Sequence, residues 1–218
     1  NWSSISWFLY LVCFKVPSDQ MGRLEIMRLK KEKARSNFKI FLELSKPNIL
    51  SLVLVATFLG YYLGNMGLGS IEVLTFTLIG TAMTAAGSGA LNHYLEREVD
   101  GYMSRTQNRP LPAKLISPNS ALIYGIVMTI FGSILLVLKV NTLTGFLALL
   151  TAFLYILVYT PLKRITWLNT SIGSIPGALP IIGGWTAATE EISAMAWVLF
   201  GIMYLWQHPH FYAIAWVC

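Results

Sequence analysis

The segment NHYLEREVDGYMSRTQNRPL, which follows a run of small residues, contains the clearest chemical pattern of the sequence. In a helix, Asn92, Glu96 and Asp100 share one face, because residues four apart return to nearly the same direction, and Glu98 points elsewhere. Two carboxylates at this spacing repel each other unless a cation lies between them, and such oxygen ligands suit Mg²⁺. The spacing therefore indicates a magnesium site at Glu96 and Asp100, and a merely solvated helix face is an equal alternative.

Basic residues that match a phosphate group lie downstream of this segment. Arg105 and Arg109 are four apart, and their guanidinium groups are fork-shaped donors for phosphate oxygens. Lys163 and Arg164, in the sequence YTPLKR, are predicted to lie on the same side of the protein as the carboxylates, where they can help to hold a diphosphate. The alternative role of this second pair is to anchor a membrane-spanning chain at the membrane surface.

Two histidines lie in the apolar sequence WQHPHFYAIAW near the end of the chain. Polar residues in a membrane helix are costly, so His208, His210 and the neighbouring Trp206 form a candidate functional site. Either imidazole can bind haem iron or an anionic group. The alternative is a histidine that is hydrogen-bonded inside a helix bundle, and this is the more common case for a single residue.

The composition indicates what positions these residues. Of the 218 residues, 55% are hydrophobic and only 12% are charged, which excludes an ordinary soluble domain and a disordered chain. Two cysteines, Cys13 and Cys218, are too few for a disulfide scaffold. The sequence predicts an all-α transmembrane bundle, since helices of about 20 apolar residues can cross a bilayer. Six such stretches occur, approximately at Ile49–Leu68, Val73–Asn92, Asn119–Leu138, Leu143–Leu162, Leu168–Ala188 and Ala194–Ala213.

The basic residues orient this bundle. Fifteen of the sixteen lysines and arginines lie on one side of the predicted spans, and only Lys139 lies on the other. The positive-inside rule then predicts a cytoplasmic N-terminus and explains the net charge of +6 without a nucleic-acid partner. We predict a basic cytoplasmic segment at 1–46 and a transmembrane domain at 47–218. Met21 begins a segment typical of a natural N-terminus, so we expect residues 1–20 to be upstream sequence.

The pattern NxxxExxxD followed by RTxxRPL resembles the first acidic motif of the UbiA-type intramembrane prenyltransferases, with Glu96 where that family usually has aspartate. Together with SKPNIL, YTPLKRITWLNTSIGSIPGALPIIGGW and WQHPHF, it resembles the haem O synthase branch of the family. The resemblance runs from about Phe38 to the end of the chain. That branch has about nine transmembrane helices and a second acidic segment after the sixth, so we expect a C-terminally truncated chain.

The resemblance implies transfer of a farnesyl group from farnesyl diphosphate to a vinyl group of haem B, giving haem O. Mg²⁺ would be held by Glu96 and Asp100, with Asn92 as a neutral ligand or an orienting residue. The basic residues that would bind the diphosphate are Arg105, Arg109, Lys163 and Arg164, and the haem candidates are His208, His210 and Trp206. Expected partners are the lipid bilayer and a haem A synthase, in the cell (inner) membrane or alternatively the mitochondrial inner membrane.

Two other functions remain open from the sequence. Another enzyme of the same family would join a prenyl chain to an aromatic or quinone precursor, and it would share the acidic motif but not WQHPHF. A haem-handling membrane protein without chemistry would use broken helices and intramembrane histidines as a passage. The acidic and basic clusters argue against this passage, because they lie in predicted cytoplasmic loops and not at the membrane midplane.

Overall fold

The computed structural model describes residues 36–163, 165–166 and 168–217, and this part of the chain contains helices and no strand. The predicted all-α class is therefore confirmed. The expectation about residues 1–20 lies outside the described residues, as does Arg164. The described residues from Ile40 onward pack as one compact unit. The helices are α1 (Asn37–Leu44), α2 (Pro47–Asn65), α3 (Ile71–Tyr102), α4 (Pro118–Lys139), α5 (Thr142–Leu162), α6 (Asn169–Thr189) and α7 (Ala194–Val217).

Each of the six predicted spans coincides with one of the helices α2 to α7. Among the described residues, the four helices α2 to α5 are long and apolar enough to cross a membrane. The protein is thus a multi-pass membrane protein, whereas the number of six spans and the cytoplasmic N-terminus stay predictions. The helix α3 continues beyond Asn92 to Tyr102, as expected from the spacing of the acidic motif.

Local sequence explains where several helices begin. The side chain of Ser70 accepts a hydrogen bond from the Val73 amide at the start of α3, and the Asn141 side chain accepts one from the Thr144 amide at the start of α5. Such caps satisfy amide groups that have no partner within the helix. Pro47 and Pro118 occupy first-turn positions of α2 and α4, where a proline lacks only a hydrogen bond that the helix would not make.

Small residues let the helices approach to backbone contact. A methyl group built on Gly87 of α3 would lie 2.6 Å from the Gly125 carbonyl oxygen of α4. A methyl group on Gly184 of α6 would lie 1.9 Å from the Thr57 carbonyl oxygen of α2. Glycine at these positions therefore permits the close packing that is typical of membrane helices.

The two prolines within α6 do not divide it. Pro176 and Pro180 are both buried, and the helix is continuous from Asn169 to Thr189. Because a proline removes a backbone hydrogen bond, the freed carbonyl groups need surroundings inside the protein. About half of the residues of α6 are buried, which provides such surroundings.

The helix α5 changes its winding before it ends. Residues Thr142–Phe153 are α-helical, Leu154–Tyr159 form a π-helical turn, and Thr160–Leu162 resume the α-helix. The Thr160 hydroxyl donates to the Tyr155 carbonyl oxygen, 2.8 Å away. Short π-helical turns within α-helices are frequent at functional sites, and this one carries the two tyrosines Tyr155 and Tyr159.

Candidate functional site

The acidic face of α3 points into the protein. Asn92, Glu96 and Asp100 are buried, with 0%, 7% and 4% of their surfaces exposed, whereas the Glu98 side chain is 79% exposed. The predicted sharing of one helix face by the first three residues is therefore confirmed. A carboxylate that is removed from water needs a cation or several hydrogen-bond donors, so the partners of these groups define the site.

Arg109 is the partner of Asp100. One guanidinium nitrogen of Arg109 donates to both carboxylate oxygens of Asp100, at 2.9 and 2.7 Å. The loop that carries Arg109 is held close to α3, because the buried Thr106 hydroxyl donates to the Asp100 carbonyl oxygen at 2.8 Å. The Nδ1 atom of His93 lies 3.9 Å from Asp100 Oδ2. Arg109 is thus fixed beside the acidic motif, and its role in diphosphate binding stays a prediction.

Lys163 is the partner of Glu96, and the two side chains form an ion pair. This contact brings the end of α5 to the acidic face of α3, although the two residues are far apart in the sequence. Arg105 differs from the other predicted phosphate ligands. It is exposed and forms no hydrogen bond or ion pair with the described residues, so the structure does not bring it to the cluster.

Lys46 is a site residue that the sequence reasoning missed. Its ammonium group donates to the Asn92 side-chain oxygen and lies 3.4 Å from the Tyr155 hydroxyl. The Asn92 amide nitrogen donates in turn to the Thr160 hydroxyl at 3.0 Å. The pKa of Lys46 is lowered to about 8, because burial disfavours the charged form and the nearby guanidinium of Arg109 repels it.

A signal for Lys46 was present in the sequence. The lysine precedes Pro47, and proline is favoured in the first turn of a helix, so the pair places a cation directly at the start of the first span. Lys46 also belongs to the predicted basic segment 1–46, and the positive-inside rule already explains its charge. Its position therefore did not stand out from that of the other basic residues.

A cavity of about 620 Å³ lies between the helices and reaches this cluster. Lys46, Lys163, Tyr155 and Tyr159 contribute polar groups to its lining, and most of the remaining lining is apolar. The rings of Tyr155 and Tyr159 are stacked, with centroids 5.7 Å apart. The volume is in the range of small-molecule sites, and an apolar wall with a few polar groups is typical of them.

The two histidines of α7 have different surroundings. His208 Nδ1 lies 2.9 Å from the Tyr204 carbonyl oxygen, and Nε2 lies 3.0 Å from the Ser171 hydroxyl. Nδ1 must donate to the carbonyl, which leaves Nε2 of a neutral ring to accept from Ser171, so both nitrogens are engaged. His210 is exposed and stacks on Trp206 with centroids 4.8 Å apart, and both residues line the cavity. Of the haem candidates, the structure places Trp206 and His210 on the cavity.

The carboxylates of Glu96 and Asp100 have the donor chemistry that Mg²⁺ requires. In the part of the chain that the structure describes, no group of three or more histidine, cysteine or acidic side chains could enclose a metal ion. Mg²⁺ commonly uses only one or two protein carboxylates and takes its other ligands from water and substrate phosphates. The residues present therefore fit an ion that is shared with a phosphate-bearing substrate.

Similar proteins of known family also indicate a prenyltransferase. The sequence model described as the UbiA prenyltransferase family matches residues 53–218. Proteins named protoheme IX farnesyltransferase include those of Solibacter usitatus (42% identical, covering 81% of this chain and 64% of that protein) and Salinibacter ruber (48% identical, covering 81% and 62%). The chain thus spans less than two thirds of the length of these relatives.

A solved structure described as digeranylgeranylglyceryl phosphate synthase in membranes has a similar fold. Its TM-score is 0.67 at 20% sequence identity, and the match covers 77% of this chain and 58% of that chain. At this identity the likeness concerns the arrangement of helices alone. Because the family model covers most of the described transmembrane helices, the chain belongs to the UbiA prenyltransferase family.

Proposed function

We propose that this protein transfers a farnesyl group from farnesyl diphosphate to a vinyl group of haem B and so makes haem O. The observation that carries the proposal is the two ion pairs that the buried carboxylates form, Asp100 with Arg109 and Glu96 with Lys163, beside an apolar cavity. Relatives named protoheme IX farnesyltransferase supply the identity of the two substrates.

The charged cluster would bind the diphosphate. Arg109 and Lys163 present donors to phosphate oxygens, and charge-assisted hydrogen bonds of this kind are among the strongest in proteins. Glu96 and Asp100 would hold Mg²⁺, which neutralises charge on a bound diphosphate. Arg105 and Arg164 remain proposed ligands of the same group, and Arg105 would have to move from its exposed position.

The apolar cavity would hold the prenyl chain. Breaking the bond between carbon and the diphosphate oxygen leaves an allylic cation, and the diphosphate departs with the bonding electrons. The vinyl group of haem B then forms the new carbon–carbon bond, and water adds to the resulting cation with release of a proton. Tyr155 and Tyr159 line the cavity and present ring faces, which stabilise a nearby cation.

The porphyrin would contact the exposed aromatic pair of α7. Trp206 and His210 lie on the cavity and stack on each other, so they offer a flat surface and an imidazole to a haem. His208 would support this surface through its bonds to Ser171 and the Tyr204 carbonyl group. We place the protein in the bacterial cell (inner) membrane, with the mitochondrial inner membrane as the alternative, and propose a haem A synthase as the consumer of the product.

A competition between two prenyl acceptors distinguishes this function from the alternative one, in which a prenyl chain is joined to an aromatic precursor. The protein in detergent is given farnesyl diphosphate and Mg²⁺ with equal concentrations of haem B and 4-hydroxybenzoate, and the products are identified by mass spectrometry. We expect farnesylation of haem B alone. A farnesylated benzoate without a haem product would contradict the proposal and indicate an enzyme for aromatic acceptors.

A further inference from the structure

The backbone of Lys46 has an unusual conformation at the junction of α1 and α2. Its φ angle is 51° and its ψ angle 66°, in the left-handed region, which is unfavourable for a residue other than glycine. Such conformations persist where the surroundings fix them, and they occur frequently at ligand-binding and catalytic sites. A strained lysine whose half-buried ammonium group faces a cavity therefore needs an explanation.

The junction is held from two sides. The Ser45 hydroxyl lies 2.9 Å from the Tyr124 hydroxyl of α4 and donates to the Phe41 carbonyl oxygen at 2.9 Å. On the other side, a methyl group built on Gly89 of α3 would lie 3.1 Å from the Leu44 carbonyl oxygen. These contacts fix the backbone from which the Lys46 side chain extends toward α3 and α5.

A closed set of hydrogen bonds then holds the ammonium group. Lys46 donates to the Asn92 side-chain oxygen and reaches the Tyr155 hydroxyl. Asn92 donates to Thr160, and Thr160 donates to the Tyr155 carbonyl oxygen at 2.8 Å. Both polar atoms of the fully buried Asn92 side chain are thereby used in bonds within the protein. Lys46 itself lines the cavity.

Lys46 and the charged groups around it carry one more positive charge than negative charges, which favours binding of an anion. Lys46, Arg109 and Lys163 provide three positive charges, and the carboxylates of Glu96 and Asp100 provide two negative ones. Arg109 and Lys163 are each paired with a carboxylate, whereas Lys46 is held by the neutral groups of Asn92 and Tyr155. Among the described residues, the half-buried ammonium group of Lys46 forms no ion pair with a carboxylate, and its position at the cavity wall suits it to bind an anionic group of a ligand.

We propose that Lys46 binds the diphosphate of the prenyl donor directly, and that Asn92 is a positioning residue that acts through Lys46 and not through a metal ion. This inference rests on the proposed function, since it assigns a further contact to the same substrate. It changes the expected role of Asn92, which the motif spacing alone had grouped with the metal-binding carboxylates.

The test measures equilibrium binding of farnesyl diphosphate, with Mg²⁺ and without haem, to the protein in detergent. We expect Lys46→Met to weaken binding about 10- to 100-fold, the loss typical of one charge-assisted hydrogen bond. Lys114→Met is the matched control, because Lys114 also has a positive φ angle of 55° but is exposed, and it should bind like the wild type. Lys46→Gln serves as the second variant if Lys46→Met melts below the wild-type temperature.

A double-mutant cycle tests the role of Asn92. If Asn92 acts through Lys46, Asn92→Ala weakens binding when it is introduced into the wild type. The same substitution causes no further loss of affinity when it is introduced into Lys46→Met. The Mg²⁺ dependence of binding by Asn92→Ala remains that of the wild type. This role of Asn92 would be overturned if the double variant lost affinity by the product of the two single losses, or if Asn92→Ala shifted the Mg²⁺ dependence of binding. Wild-type-like binding by folded Lys46→Met would overturn the role of Lys46 and leave the proposed function standing. Absence of binding by the wild type would overturn both.

Discussion

At the scale of single residues, each buried carboxylate of α3 has its own cation. Asp100 is held by Arg109, and Glu96 by Lys163, so neither charge is left alone inside the protein. Removing either cation leaves a buried carboxylate without its partner and should destabilise the fold, although less than in a fully buried pair, because the side chains of Arg109 and Lys163 are 30% and 27% exposed. Substitutions in this cluster therefore need a stability measurement beside the activity measurement.

The two histidines of α7 should respond differently to substitution. His210→Ala should weaken haem B binding about tenfold, because it removes an exposed imidazole from the cavity wall together with its stacking on Trp206. His208→Ala should mainly lower the melting temperature, because it breaks two internal hydrogen bonds. Titration by the haem Soret band and thermal unfolding distinguish the effects. Weaker haem B binding by His208→Ala, with normal binding by His210→Ala, would show that His208 is the haem contact.

The residue pattern predicted part of the site. Asn92, Glu96 and Asp100 could be placed on one face because helical spacing is a local property. The partners of these groups depend on how distant segments pack, so the sequence could not assign Arg109 to Asp100 or Lys163 to Glu96. Lys46 was missed for a related reason, since its charge already had a topological explanation. The assignment of Arg105 to the diphosphate stays a prediction.

At the scale of helices, packing between α2 and α6 depends on the absence of side chains. Gly184→Ala should destabilise the protein by about 1–3 kcal/mol, because the added methyl group would overlap the Thr57 carbonyl oxygen of the neighbouring backbone. Gly183→Ala is the matched control, since a methyl group there would meet no atom within 4 Å. Thermal unfolding in detergent measures both. Equal melting temperatures of the two variants would contradict this account of the interface.

Helix positions were predictable to within a few residues, because long apolar stretches in a membrane can only be helical. The π-helical turn of α5 was not predicted, since no local residue pattern in LYILVY distinguishes it from a regular helix. It matters for the site because it carries Tyr155 and Tyr159, and Thr160 bonds directly to Asn92. The continuity of α6 through two prolines likewise depends on its burial among other helices.

At the scale of the whole molecule, the charge asymmetry predicts on which side each loop lies. Single cysteines are introduced as Leu68→Cys, between α2 and α3, or as Ser104→Cys, after α3, in a chain whose Cys13 and Cys218 are replaced by serine. An impermeant thiol reagent added to bacterial spheroplasts should label the first and should reach the second only after permeabilisation. The opposite labelling pattern would invert the predicted topology.

The central claim is that the buried cluster beside the cavity drives farnesyl transfer to haem B. The most direct measurement follows haem O and released diphosphate together in one reaction of the protein with farnesyl diphosphate, haem B and Mg²⁺. We predict equal amounts of both products, loss of both when Mg²⁺ is chelated, and at least about a 100-fold loss in Asp100→Asn. The exposed carboxylate variant Glu98→Gln should retain full turnover. Haem O formation by folded Asp100→Asn at the wild-type rate would contradict the account.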